Sequence, residues 1–147
     1  MFKFLAPIVG FALLHIPAFA ADCEVTIMSD DKMQFSTKEV AVPATCKQFK
    51  VTLKHTGKLK KELMGHNWAL FATADKADVL KNAEKAGPAT GYSPSGAKVL
   101  AKTDTIGGGE TTSTSFETSV LKKGGDYTFA CTFPGHSGLM IGKFVFK

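Results

Sequence analysis

Cys131-Thr132-Phe133-Pro134-Gly135-His136-Ser137-Gly138-Leu139-Met140 puts a thiol, an imidazole and a thioether into one short stretch near the end of the chain. A single tight loop can gather three such donors around one metal ion. A second imidazole stands upstream in Met64-Gly65-His66-Asn67-Trp68. One thiolate and two imidazoles with a distant thioether form a donor set suited to electron-transfer copper. It lies between the geometries that the two copper oxidation states prefer, so little has to move when an electron arrives. Zinc competes for the same donors, but structural zinc sites use four strong ligands and Met140 is a weak one. A redox disulfide is disfavoured, because no second cysteine lies at Cys-x-x-Cys spacing from Cys131.

Cys-x4-His spacing alone is weak evidence, and the surrounding pattern is what strengthens it. Residues 126–132 read as a strand that delivers Cys131 to a sheet edge. Pro134-Gly135 then forces a reversal, and residues 141–146 open a return strand just after Met140. His66 joins from another loop, immediately before a strand opened by Trp68. Period-2 alternation marks further strands at 24–28, 49–54, 68–73, 98–102 and 112–117, with turns at 105–110 and 122–126. The expected architecture is all-β, a two-sheet Greek-key sandwich or barrel. One segment departs from it: residues 75–85 read as a short helical flap inserted between strands, with Ala77, Val79, Leu80, Ala83 and Ala86 as its apolar set and Gly87-Pro88 as its stop.

Not all of the 147 residues belong to that unit. Lys3, the apolar run that follows and Ala18-Phe19-Ala20 read as a cleavable signal peptide over 1–20, leaving 21–147 as a single domain. Pro7, Gly10, His15 and Pro17 disfavour a membrane anchor, and Asp22 before Cys23 disfavours a lipid-modified cysteine. A soluble exported protein is expected. In an oxidising compartment three cysteines give one disulfide and one residue left over. Cys23 and Cys46 make the natural pair, worth about 3 kcal/mol of chain entropy. Cys131 remains free. All 18 basic residues are lysines, against 13 acidic ones, for a net charge of +5. With no arginine forks and no aromatics interleaved in a basic stripe, nucleic acid is excluded as a partner.

These motifs resemble the cupredoxin family of small blue copper proteins, over essentially the whole of 21–147. The resemblance rests on the Cys23 and Cys46 spacing, Cys46-Lys47-Gln48-Phe49, Met64-Gly65-His66-Asn67-Trp68 and the Cys131 to Met140 stretch. The Cys-x4-His-x3-Met interval looks like the azurins rather than the plastocyanins. The resemblance implies copper as cofactor, with His66, Cys131 and His136 as strong ligands, Met140 as a weak axial ligand and the Gly65 carbonyl as a second axial contact. It implies that Asn67 and the backbone amide of Phe133 hold the thiolate and tie the ligand loops together. His55 is expected to be a packed histidine beside the site.

Met33, Leu59, Leu63, Met64, Phe133, Pro134 and Leu139 are implied to form an exposed apolar ring around His136, whose outer edge would be the electron port. Lys58, Lys60 and Lys61 read as a solvated loop, with steering of an acidic partner as a second reading. The implied function is single-electron shuttling between c-type cytochromes and periplasmic reductases by a mainly monomeric protein with weak self-association. An enzyme is not expected: beyond the leader only His55, His66 and His136 remain, too few for a second histidine-rich centre. The alternative is copper delivery without a redox role, which would favour exposed, exchangeable donors.

Overall fold

The computed structural model describes residues 23–147, so the expected leader lies outside the described residues. Strand β3, Gln48–His55, shows how side-chain alternation builds the fold. Phe49, Val51, Leu53 and His55 point into the core while Gln48, Lys50 and Lys54 face solvent, the period a half-buried strand requires. It is the centre of a three-stranded sheet. β1, Glu24–Ser29, lies parallel to it, with Val25 opposite Val51. On the other side Thr111–Glu117 runs antiparallel, with Thr114 opposite Val51.

The second sheet has five strands. In order across it run β2 (Glu39–Val42), Ile141–Phe146, Tyr127–Ala130, β4 (Ala69–Ala72) and β5 (Ala101–Lys102). In chain order the remaining strands are β6 (Thr111–Glu117), β7 (Tyr127–Ala130) and β8 (Ile141–Phe146). β2 pairs in parallel with β8, while β4 with β5, β4 with β7 and β7 with β8 are antiparallel. β2 lies between β1 and β3 in sequence but in the opposite sheet, so the chain crosses the sandwich twice between β1 and β3. The two sheets stay separate, which makes the architecture a sandwich rather than a closed barrel.

Between the sheets lie Ile27, Val51, Leu53, Trp68, Leu70, Phe129 and Phe144, each wholly buried. Strands β4 and β7 lack clean alternation because both of their faces are covered. Leu70 and Phe129 face the main core, whereas Ala69, Phe71 and Ala130 meet Val79 of the flap helix in a second cluster. A one-turn helix, α1, spans Lys61–Met64. The flap helix, α2, spans Lys76–Ala86 after a 3-10 turn at Thr73–Asp75. Its buried residues are Val79 and Ala83, and the expected apolar position Ala77 is exposed. Lys98 bonds both Asp75 and Asp78, tying the segment that follows the helix back to its start.

Several boundaries differ from the sequence reading. The strand expected over 98–102 shrinks to Ala101–Lys102, and 126–132 to Tyr127–Ala130. β2 was not legible because four residues, ending at Val42 just before Pro43, give too little alternation to stand out. α1 is a single turn with no side-chain cap and no buried residue, so neither periodicity nor capping announces it. Cys23 and Cys46 are joined in a disulfide, as expected. No helix among the described residues is long and apolar enough to cross a membrane.

Candidate metal centre

The loop between β7 and β8 is closed by its own backbone. The N–H of His136 donates to the Phe133 carbonyl at 3.0 Å, across a turn whose third residue, Gly135, has φ 78°. That conformation is why the sequence carries Pro-Gly there: proline sets the second position, and glycine accepts the left-handed third. The Met140 N–H then donates to the His136 carbonyl at 2.8 Å, and the Cys131 N–H to the Met140 carbonyl at 2.9 Å. Cys131 and Met140 are wholly buried, and His136 is 4% exposed. The expected surface edge of His136 is therefore nearly covered. The Phe133 ring tilts over it at 4.8 Å between centroids.

His66 arrives from the loop after α1 and is pinned by a two-way backbone bridge with Ile106, both bonds 2.9 Å long. Its Nε2 lies 2.8 Å from the Asp30 carbonyl, which can only accept, so Nε2 carries the proton. Nδ1 is left with a lone pair. It is buried and has no hydrogen-bond partner. An orphaned acceptor at such depth costs stability unless something fills it.

Nδ1 of His66, Sγ of Cys131 and a ring nitrogen of His136 share one space, the three donor atoms lying within 4.8 Å of one another. Sγ and His136 Nδ1 are 3.8 Å apart. Bonds of about 2.0 Å to nitrogen and about 2.3 Å to sulfur separate trigonal ligands by about 3.7 Å, close to the observed spacing of Cys131 Sγ and His136 Nδ1, so the donors are gathered at the scale of a single metal ion. Burial lowers the proton affinity of both imidazoles. It takes His136 from 6.5 down to about 4, with the neighbouring His66 and His55 adding to the effect. Burial pushes the Cys131 thiol the other way, to about 11, opposed by the N–H groups of Asn67 and Phe133, which point at the sulfur. At neutral pH the imidazoles are thus free to bind, and the thiol holds its proton until a cation displaces it.

A family model for copper-binding proteins of the plastocyanin/azurin family matches residues 21–147. The chain belongs to that family. Azurin from Pseudomonas aeruginosa is 44% identical over 148 residues, covering 100% of both chains. Azurin from Bordetella pertussis is 48% identical over 137 residues, covering 90% of this chain and 91% of the other. Among solved structures, an azurin from Methylomonas sp. strain J superposes with a TM-score of 0.80 at 42% identity, covering 86% of this chain and 99% of that one. Copper is the cofactor of this plastocyanin/azurin family member, and His66, Cys131 and His136 form its candidate copper site.

Around these donors the chain packs closely. The Gly65 carbonyl lies 3.9 Å from Cys131 Sγ. A Cβ on Gly65 would stand 2.6 Å from the Lys61 carbonyl and 2.8 Å from the Phe133 ring, so only glycine lets that ring close over the site. Asn67 joins the two ligand loops, its Oδ1 accepting from the Thr132 N–H at 2.8 Å. His55 is packed and hydrogen-bonded. Its Nδ1 accepts from the Gly57 N–H, its Nε2 lies 3.0 Å from the Met64 carbonyl, and its ring stacks on His66. Thr105 and Thr132, which both bond Asn67, carry no sequence signal of their role. Thr105 is 38 residues from Asn67 and reads as an ordinary turn residue.

The residues expected around His136 divide by exposure. Leu63 is 68% exposed, Leu139 54% and Leu59 41%, and Pro134 is exposed as well. Met33, Met64 and Phe133 are half-buried, with Met33 and Phe133 packed against the main core. Lys58, Lys60 and Lys61 are all exposed.

Proposed function

We propose that this protein carries single electrons between redox partners in the periplasm, after export and loss of residues 1–20. The observation that carries the reading is the buried, unpartnered His66 Nδ1 sharing one enclosed space with Cys131 Sγ and His136. Copper held there supplies one-electron chemistry by alternating between Cu(II) and Cu(I). His66, Cys131 and His136 are the strong ligands, with the Met140 thioether and the Gly65 carbonyl as weak ones. The turn at Phe133–His136, the bond from Met140 to His136 and the bridge from His66 to Ile106 hold the donors in place before and after electron transfer, so reorganisation stays small. The N–H groups of Asn67 and Phe133 stabilise the Cys131 thiolate.

Enclosure also argues against delivery. All three strong donors are buried, whereas a protein that hands its metal on needs donors a recipient can reach. No substrate is transformed in this reading. Leu59, Leu63, Met64, Pro134 and Leu139, with Met33 at the margin, supply the apolar surface for brief docking of c-type cytochromes and periplasmic reductases. Lys58, Lys60 and Lys61 stand beside it. The protein works mainly as a monomer.

The test is the visible absorption of the mature protein after Cu(II) addition, with Cys131→Ser alongside. An intense blue thiolate-to-copper band that bleaches reversibly on reduction, and is missing in the variant, is the expected result. A colourless protein that still binds copper tightly would remove the redox role.

A further inference from the structure

Asn67 does more than bridge the two ligand loops. Its Nδ2 carries two hydrogens, one directed at Thr105 Oγ1 at 3.0 Å and the other at Thr132 Oγ1 at 2.9 Å. Each hydroxyl, having accepted, has one hydrogen left to donate. Thr105 gives its hydrogen to the Gly91 carbonyl and Thr132 gives its own to the Tyr92 carbonyl, both at 2.7 Å. Thr132 Oγ1 also stands 3.1 Å from Asn67 Oδ1, but its single hydrogen serves the shorter contact. Two consecutive carbonyls of the segment after α2 are thus clasped by one amide through two threonines. In such a chain each bond polarises the next.

The clasped segment is held in an uncommon conformation. Gly91 has φ 64° and Tyr92 has φ 57°, a left-handed setting that is unfavourable for a tyrosine unless its surroundings impose it. There the Tyr92 ring meets the Phe133 ring edge-on at 5.2 Å, and Phe133 in turn covers His136. This segment, which follows the flap helix, therefore touches the loop that carries Cys131 twice, once through the Thr132 hydroxyl, which donates to the Tyr92 carbonyl, and once through the Phe133 ring.

We propose that Thr105 is a positioning residue for the copper site, acting through Asn67 to couple the flap at Gly91 and Tyr92 to the loop that carries Cys131. The inference rests on the copper reading above. Without its hydroxyl, one Asn67 N–H loses its acceptor and the Gly91 carbonyl loses its donor. The Asn67 side chain is then held by Thr132 alone, through the bond it donates to Oγ1 and the one it accepts from the backbone N–H, so the direction in which its own backbone N–H faces the sulfur is less tightly set.

The experiment compares the mature protein with Thr105→Val and Thr105→Ser, metal-free and copper-loaded. Valine keeps the shape without the hydroxyl, and serine keeps the hydroxyl. In the metal-free proteins, amide exchange at Gly91 and Tyr92 is expected to quicken in Thr105→Val by about threefold to tenfold, the loss of one buried hydrogen bond, and to return to the original rate in Thr105→Ser. In the copper-loaded proteins the thiolate-to-copper band and the reduction potential are expected to shift in Thr105→Val and recover in Thr105→Ser. Exchange and band both unchanged in Thr105→Val would overturn the proposal. Faster exchange with an unmoved band and potential would also overturn it, leaving Thr105 a structural tie of the flap alone. Absence of any blue band in the unsubstituted protein would instead refute the copper electron-carrier reading, and the metal-free exchange would still decide whether the clasp exists.

Discussion

The rings of His55 and His66 stack with centroids 4.3 Å apart and planes 23° from parallel. Both nitrogens of His55 are already engaged: Nδ1 accepts from Gly57, and Nε2 donates to the Met64 carbonyl. His55 therefore has no lone pair to offer a metal, and its work is to fix the plane of the neighbouring ring. His55→Ala is expected to lower folding stability by about 2–4 kcal/mol, from the lost ring and two orphaned backbone groups. The copper stoichiometry should stay the same. Denaturant unfolding and metal analysis check this, and loss of copper at constant fold would make His55 a ligand.

Gly65 follows the last residue of α1 and lies against the Phe133 ring. Gly65→Ala puts a methyl group into contact with the Lys61 carbonyl and that ring, neither of which can yield without moving a ligand loop. A destabilisation of about 1–3 kcal/mol is expected, together with a shifted copper absorption band. A variant of unchanged stability and colour would show that the loop relaxes freely and that the close approach is incidental.

Acid should weaken the metal-free protein. As pH falls below about 6.5 the unfolded chain binds protons at His66 and His136, whereas burial keeps His136 neutral until about 4. The unfolded state thus binds more protons across that window, and stability declines as pH falls through it. Urea midpoints at about pH 7 and about pH 4.5 measure the effect; equal midpoints would contradict it. Copper uptake at neutral pH should release about one proton per ion, from the Cys131 thiol, because both imidazoles are already neutral. Proton release in weakly buffered solution, absent in Cys131→Ser, is the readout.

Leu63 and Leu139 are the most exposed of the large apolar side chains proposed for docking. Leu63→Asp and Leu139→Asp should leave stability within about 0.5 kcal/mol, since neither residue is buried. Electron exchange with a c-type cytochrome should slow by about tenfold or more, because a charge in a small apolar interface is desolvated on contact. Stopped-flow reduction kinetics test this. Unchanged rates in both variants would move the docking surface elsewhere.

Residue type and local spacing were enough to determine the donor set. Cys131, His136 and Met140 share one turn-closed loop, and the Phe133 to His136 turn follows from proline and glycine alone. Alternation carried the long strands β3 and β6, and the flap helix was visible from its apolar spacing and its glycine stop. The rest depended on partners far away in the chain. β4 and β7 are covered on both faces only once α2 has folded over them, and β2 becomes a strand only beside β8. The Asp30 carbonyl selects the tautomer of His66 from 36 residues away, and Thr105 meets Asn67 across 38. Hydrogen bonds of that kind leave no periodic trace in sequence. They join single polar atoms brought together by the packing of whole sheets, so the tertiary structure alone decided how the copper donors are oriented and what holds them.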